Sequence, residues 1–293
     1  MKITPEDLKL DYSYVERRIV DFIRDYFEKT GVKKAVLGIS GGVDSTVTAY
    51  LTVKALGSDR VKALIMPDSR VTPAKDLEDA LKVVSELEIE KYEVDIAGIL
   101  KSYEKTLPFF DAGHRVALGN LRARLRMTLL YYFANANDAL VVGTGDKSEL
   151  LIGYFTKYGD GGVDILPIGD LYKTQVRQLA LHLGVPREIA EKPSSPALWP
   201  GQTAEGELGM SYSEIDLVLY AVFDRKIEIR EVPEATGVEE WKVKAILERV
   251  SKSAHKRCTP PIPKVSARTL GADLTLPQYF SLEEMGDSSE WAI

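Results

Sequence analysis

Cysteine occurs once in this chain of 293 residues, as Cys258, and histidine only three times, as His114, His182 and His255. A single cysteine excludes an internal disulfide and any CxxC redox or zinc pair, and three scattered histidines offer no catalytic zinc constellation. A chain of this kind suits a reducing compartment. No stretch approaches the ~18 consecutive apolar residues of a membrane span, and the opening MKITPEDLKLDYS carries acids where a signal peptide carries an apolar run. Positive charge is not in excess either. Lysine and arginine total 38 against 44 aspartates and glutamates, a net charge of −6, which disfavours a surface that tracks nucleic-acid or membrane phosphates. The expectation is a cytoplasmic protein with no nucleic-acid and no membrane partner. Repeats and low-complexity tracts are also missing, and 45% hydrophobic with 28% charged residues is ordinary globular usage.

The periodicity of the apolar residues lays out the elements. Val15, Ile19, Phe22, Ile23, Tyr26 and Phe27 recur at helical spacing before Gly31, predicting an amphipathic helix. Ala35 to Ile39 is a short apolar run, Ser40-Gly41-Gly42 breaks it, and Val43, Val47, Leu51 and Ala55 resume helical spacing, giving strand, glycine turn and helix. Strands are predicted over Val61 to Met66, Lys91 to Asp95 and Ala139 to Val142, and helices over Pro73 to Leu87 and Arg115 to Ala136. Alternation of this kind predicts an α/β fold, a Rossmann-like doubly wound parallel sheet with helices on both faces. Gly143 to Gly169 is too rich in glycine for regular structure, and a helix follows from Thr174 to Leu183. Residues 192 to 212 form a long loop with the character of a lid. Helices over Ser213 to Phe223 and Val238 to Val250 make a C-terminal helical extension, and the tail from Leu276 ends acidic. Residues 1–293 are expected to form a single domain.

Gly38-Ile39-Ser40-Gly41-Gly42-Val43-Asp44-Ser45 sits where a strand feeds a helix, so backbone N–H groups at the helix N-terminus can face a phosphate. The plainer reading is a tight turn. The segment is neither a Walker loop nor a dinucleotide GxGxxG fingerprint, but it resembles the SGGxDS pyrophosphate loop of the ATP pyrophosphatases. Asp44 beside a phosphate calls for a cation between two anions, and magnesium would supply it; a first-turn acid favoured by the helix dipole explains the same residue equally well.

Three further blocks narrow the choice: Gly119 to Arg126, Val142-Gly143-Thr144-Gly145-Asp146-Lys147-Ser148-Glu149, and Gly153 to Pro167 with its Thr156-Lys157-Tyr158-Gly159-Asp160-Gly161-Gly162 core. Gly169 to Arg177 and Leu198-Trp199-Pro200-Gly201-Gln202-Thr203 add two more. Each alone has a bland account: Asp146 and Glu149 as a capping box, Arg122 to Arg126 as a solvated stripe, Lys157 and the His255-Lys256-Arg257 run as surface charge. Together, over residues 15 to 260, they closely resemble the ammonia-dependent NAD synthetases, in a form most similar to archaeal members.

That resemblance implies an adenine nucleotide α-hydrolase-like fold and a ligase that amidates deamido-NAD with ammonia through an adenylated intermediate, releasing AMP and pyrophosphate. It implies ATP contacts at Gly38, Ile39, Ser40, Gly41, Gly42, Val43, Asp44, Ser45, Thr144, Lys173 and Ser195. Magnesium ligands fall on Asp44 and Glu149, and deamido-NAD contacts on Arg124, Lys157, Asp164, His255 and Lys256. Asp44, Glu149 and Lys173 would carry the catalysis, and a homodimer with the substrate site at the subunit interface is implied as well. A glutaminase domain is not expected in the short segment ahead of the first helix, so ammonia is the expected nitrogen source. Two positions depart from the family pattern: Ala204 stands where an acid usually follows Gln-Thr, and Ser195 where threonine is frequent. A tRNA-modifying ATP pyrophosphatase and a non-catalytic nucleotide-binding module are the competing readings; acidic balance and the absence of paired cysteines argue against the first, and Asp44, Glu149 and Lys173 against the second.

Overall fold

A computed structural model describes residues 2–270, so the expected acidic tail from Leu276 lies outside the described residues. Helix α1 (Tyr12–Thr30) starts where the Asp11 carboxylate accepts the Tyr14 N–H and stops at Gly31, whose φ of 73° is left-handed. Its inner stripe buries Val20, Ile23 and Phe27. Strand β1 (Lys34–Gly38) buries Ala35, Val36 and Leu37 in succession, as a strand covered on both faces must. The glycine turn follows, then helix α2 (Val43–Leu56), strand β2 (Val61–Ile65), helix α3 (Ala74–Glu86) and strand β3 (Glu90–Glu93). Exposed, charged residues fill β3, which suits its place at the sheet edge.

Helix α4 (Ala97–Thr106) was not anticipated from the apolar spacing, whereas helix α5 (Arg115–Asn137) and strand β4 (Ala139–Val141) lie where expected. The four strands pair in the order β3-β2-β1-β4, all parallel. The chain therefore leaves β1 toward β2 on one side and returns as β4 on the other. The topological switch point lies between the C-terminal ends of β1 and β4, where ligands of such sheets bind. Beyond β4 the pairing continues as an isolated bridge from Val142 to Ile165.

The glycine-rich segment does contain a helix, α6 (Lys147–Ile152), which corrects the expectation of irregular structure. Asp146 caps it by accepting the Glu149 N–H at 2.8 Å, and Gly153 ends it in the left-handed region. Helices α7 (Lys173–His182) and α8 (Arg187–Ala190) come next. The long loop is also interrupted, by α9 (Ala204–Leu208), capped by Thr203 and closed by Gly209. Helix α10 (Tyr212–Leu219) widens at its end into a looser turn over Tyr220–Asp224, and α11 (Val232–Thr236) and α12 (Glu240–Lys252) complete the extension.

Burial follows three bodies of apolar side chains. Ile23, Phe27, Leu37, Val47, Leu51, Val83 and Leu179 fill one face of the sheet, and Val36, Leu64, Ile96, Leu100 and Leu125 the other. Ile152, Tyr172, Tyr212, Ile215, Val218, Val243 and Ile246 bind the helical extension to α6 and α7. The last group fixes α6 and α7 against α10, which brings the side chains of the next section together.

Gly41 shows how tightly the glycine turn is held. Its φ is 78°, and a Cβ there would stand 2.2 Å from the Asp76 carbonyl oxygen of α3. Gly41→Ala is expected to destabilise the protein by at least about 1–3 kcal/mol, the cost of the left-handed conformation before the clash is relieved. Urea unfolding measures it; a variant as stable as the parent would contradict this packing.

Candidate active site

The turn between β1 and α2 is knitted from within. Ser40 N–H donates to Ser45 Oγ at 3.2 Å, and that hydroxyl donates to the Gly42 carbonyl at 3.1 Å. Gly42 occupies the N-cap position of α2 and offers no side chain to it. The first N–H groups of a 14-residue helix are thus left for a ligand at its positive end.

Lys173 is the centre of the arrangement. Its ammonium lies 2.6 Å from Asp44 Oδ2, 2.8 Å from Glu149 Oε1 and 3.0 Å from Asp146 Oδ2, with its side chain wholly buried. The backbone is fixed too. Lys173 N–H donates to Ser148 Oγ at 2.9 Å, Ser148 donates to Asp216 at 2.5 Å, and Asp216 accepts the Thr174 N–H at 2.8 Å. Residues of α6 and α10 therefore satisfy the orphan donors of α7.

One ammonium among three carboxylates would leave two negative charges uncompensated if all three were ionised, so the buried acids favour their protonated forms. Burial pushes Asp146 up to about 7, Lys173 opposing and Asp44 adding to the rise. Burial likewise lifts Glu149 well above the usual carboxylate range, and for Lys173 burial opposes the charge but the carboxylates outweigh it and hold the ammonium well above its ordinary value. Asp44 Oδ1 is buried and has no hydrogen-bond partner. Two carboxylates and an unpartnered oxygen fit a hard divalent cation that shares its shell with water and phosphate. Among the described residues no three acidic, His or Cys side chains form a complete metal cage, so phosphate oxygens would have to share in holding such an ion.

These groups open on a cavity of about 470 Å³ at the switch point of the sheet. Gly38, Ile39, Ser40, Gly42, Val43, Asp44, Ser45, Thr144, Glu149, Ser195 and Lys256 line it. Gly41 instead turns toward α3, and Lys173 stands behind Asp44 and Glu149. Arg124, Lys157, Asp164 and His255 are not brought to the cavity wall. Arg124 donates to the Lys157 carbonyl on the exposed side of α5, and Asp164 accepts from Tyr131 Oη and from Val141 N–H, pinning the sheet.

The segment from Lys192 to Leu198, part of the expected lid, lines the cavity and is strapped at several points. Lys192 Nζ meets Asp76 at 2.5 Å, Asp79 at 2.7 Å and the Gly41 carbonyl at 3.2 Å, tying the lid root to α3 and the glycine turn. Arg122, buried and paired with Asp68 at 2.7 Å, donates to the Leu198 carbonyl at 2.9 Å. Ser195 spends its hydroxyl proton within the lid, on the Gln202 carbonyl. Ala204 is buried on the cavity wall, Glu205 turns away to accept the Tyr212 N–H, and Glu207 is the acid that the lid presents.

Sequence reasoning missed Lys192 and the role of Asp146 as third carboxylate. It also missed Arg126, a cavity cation whose burial lowers it to about 10 and whose Nε donates to the Met66 carbonyl. Spacing within Gly119 to Arg126 was the available signal for the last.

A glycine turn at the switch point of a parallel sheet, with acids gathered around a buried lysine, defines an adenine nucleotide α-hydrolase-like protein. The chain belongs to the NAD synthase family, whose model matches residues 15–260. It is 56% identical to the NH(3)-dependent NAD(+) synthetase of Staphylothermus marinus over 90% of this chain and 96% of that one. Among solved structures it is similar to an NMN synthetase from Francisella tularensis, at 34% identity and a TM-score of 0.77, covering 87% of this chain and all of that one. A glutamine-dependent NAD+ synthetase from Acinetobacter baumannii, in complex with ADP, is 29% identical with a TM-score of 0.63, over 92% of this chain but only 49% of its own.

Asp216 supplies a pH test of the scaffold. Burial pushes it up to about 6 against the lowering effect of Ser148 and Thr174. A raised acid binds its proton more tightly when folded, so its stabilising contribution is full below the unfolded value of 3.8 and is lost as pH rises through about 6. Urea unfolding from pH 3.5 to 7 is expected to show a fall smaller by roughly 3 kcal/mol in Asp216→Asn than in the parent, the other raised acids contributing equally to both.

Proposed function

We propose that this member of the NAD synthase family is a C–N ligase that converts deamido-NAD to NAD with ATP and ammonia. The observation that carries the reading is the junction of Lys173 with Asp44 of the glycine turn and Glu149, at the edge of the cavity on the sheet's switch point. The turn N–H groups would cradle the phosphates of ATP, with Thr144 and Ser195 beside them. Asp44 and Glu149 would hold magnesium, which when bound offsets phosphate charge and favours departure of pyrophosphate. Lys173 keeps those two carboxylates in place and adds positive charge where negative charge develops.

No protein nucleophile is required. A nicotinate carboxylate oxygen attacks the α-phosphorus, the bond to the bridging oxygen breaks, and pyrophosphate leaves with the electron pair. Ammonia then attacks the acyl carbon, AMP departs, and a proton is lost from the new amide nitrogen. Alignment does most of the work, and the adenylate must be kept from water. The lid, strapped by Lys192 and Arg122, would do so.

Ammonia rather than glutamine is favoured because the relative named for ammonia is matched over 96% of its length, while the glutamine-dependent protein is matched over 49%. The dinucleotide is favoured over the mononucleotide because identity is 56% to the NAD synthetase and 34% to the NMN synthetase. Arg124 and Lys157 lie together on the outer side of α5, where Tyr132 is 74% exposed. Pairing of two copies across this side would carry them to the partner's dinucleotide, which agrees with a homodimer. No helix of the described residues is long and apolar enough to cross a membrane.

A mass-spectrometric product assay tests this with deamido-NAD, ATP, magnesium and ammonium, with parallel arms containing glutamine or nicotinate mononucleotide. NAD and AMP are expected from ammonium with the dinucleotide, and Asp44→Asn should lower turnover by about 10²–10³-fold, the scale of lost charge stabilisation. Absence of AMP in every arm would overturn the proposal.

A further inference from the structure

The cavity also carries a cation that takes no part in the proposed reaction. Arg249 lies on α12, one turn beyond the buried Ile246, and reaches the same cavity as the glycine turn. Its Nε is buried without a hydrogen-bond partner, and among the described residues the guanidinium has no carboxylate, carbonyl or aromatic partner at all. The other cavity cations are committed. Lys192 is held by Asp76 and Asp79, Arg126 by the Met66 carbonyl, and Lys256 by the carbonyls of Gly153 and Phe155, at 2.6 Å each.

Surroundings make the free guanidinium more unusual. Burial lowers Lys256, Asp160 opposes that effect and Arg249 adds to it, so the two cations are close enough to repel. Asp160 is the acid that acts on both Lys256 and Arg126, and burial raises its own value, which weakens it as a counter-ion. A desolvated donor on a charged group is costly unless something accepts from it, and a like charge nearby increases the cost. The wall is thus built with spare positive charge and spare donors facing a cavity, the pattern of an anion site that is filled by the ligand.

We propose that Arg249 is a substrate-binding residue that recognises an anionic group of the dinucleotide, an inference that rests on the proposed function. ATP phosphates have partners of their own at the N–H groups of the glycine turn and at Lys173, none of which is bonded to Arg249. Deamido-NAD offers a nicotinate carboxylate and a pyrophosphate. Both are planar or forked acceptors suited to a guanidinium, and only the first distinguishes substrate from the amide product.

The test compares Arg249→Met and Arg249→Lys with the parent by calorimetric binding of deamido-NAD and of NAD, and by KM for deamido-NAD and for ATP. The Met variant is expected to raise KM for deamido-NAD about ten-fold to a hundred-fold, the range for a lost charged hydrogen bond, with KM for ATP and the melting temperature unchanged. The Lys variant should recover part of the loss. Weakened binding of deamido-NAD alone assigns Arg249 to the carboxylate; equal weakening of deamido-NAD and NAD assigns it to the pyrophosphate. Parent-like binding of both by the Met variant overturns the inference while leaving the proposed function standing. A parent protein that binds no deamido-NAD removes both.

Discussion

A single buried ammonium holds the site together. Lys173 draws Asp44 from the start of α2 and Asp146 and Glu149 from the start of α6 to within 3.0 Å of one nitrogen. Such a cluster forms only if the two helices and α7 arrive in fixed register, since removing a buried charge from water is costly unless its partners are already in place. The sheet sets the position of α2, and the packed core of α6, α7, α10 and α12 sets the rest. Ser148 and Asp216 extend that control to the backbone of Lys173, so polar and apolar contacts specify the same geometry.

Three acids around one ammonium make the cluster responsive to what enters the cavity. An incoming nucleotide brings phosphates, which acids repel, and a divalent cation resolves the conflict on both sides. Arg126, Lys256 and Arg249 bring positive charge to the same cavity. A cavity with charges of both signs suits two polyanionic ligands that must meet at one phosphorus. The straps at Lys192 and Arg122 fix the cavity-lining segment from Lys192 to Leu198 against α3 and α5.

Much of this was legible in the sequence, and the limits have physical causes. The strand, glycine turn and helix around Gly41 were readable because change of period and broken pattern coincide there. The parallel sheet followed from alternation, and Asp44 and Glu149 from their blocks. Helix α6 was hidden because six residues show no periodicity, and its signal lies in the caps Asp146 and Gly153. That capping box was read as an alternative to function, whereas Asp146 serves both. Arg249 had no local signal, since its freedom from partners exists only once α12 is packed on α6. Conversely, Arg124, Lys157, Asp164 and His255 fit the family pattern but do not reach the cavity of one chain, which spacing cannot foresee.

The dependence of the whole on Lys173 is tested most directly by urea unfolding of Lys173→Met beside the double variant Lys173→Met/Asp146→Asn. Loss of the lysine should cost about 3–5 kcal/mol by leaving buried carboxylates unpaired, and removing one of those charges should restore part of it. A Lys173→Met protein as stable as the parent would contradict the account.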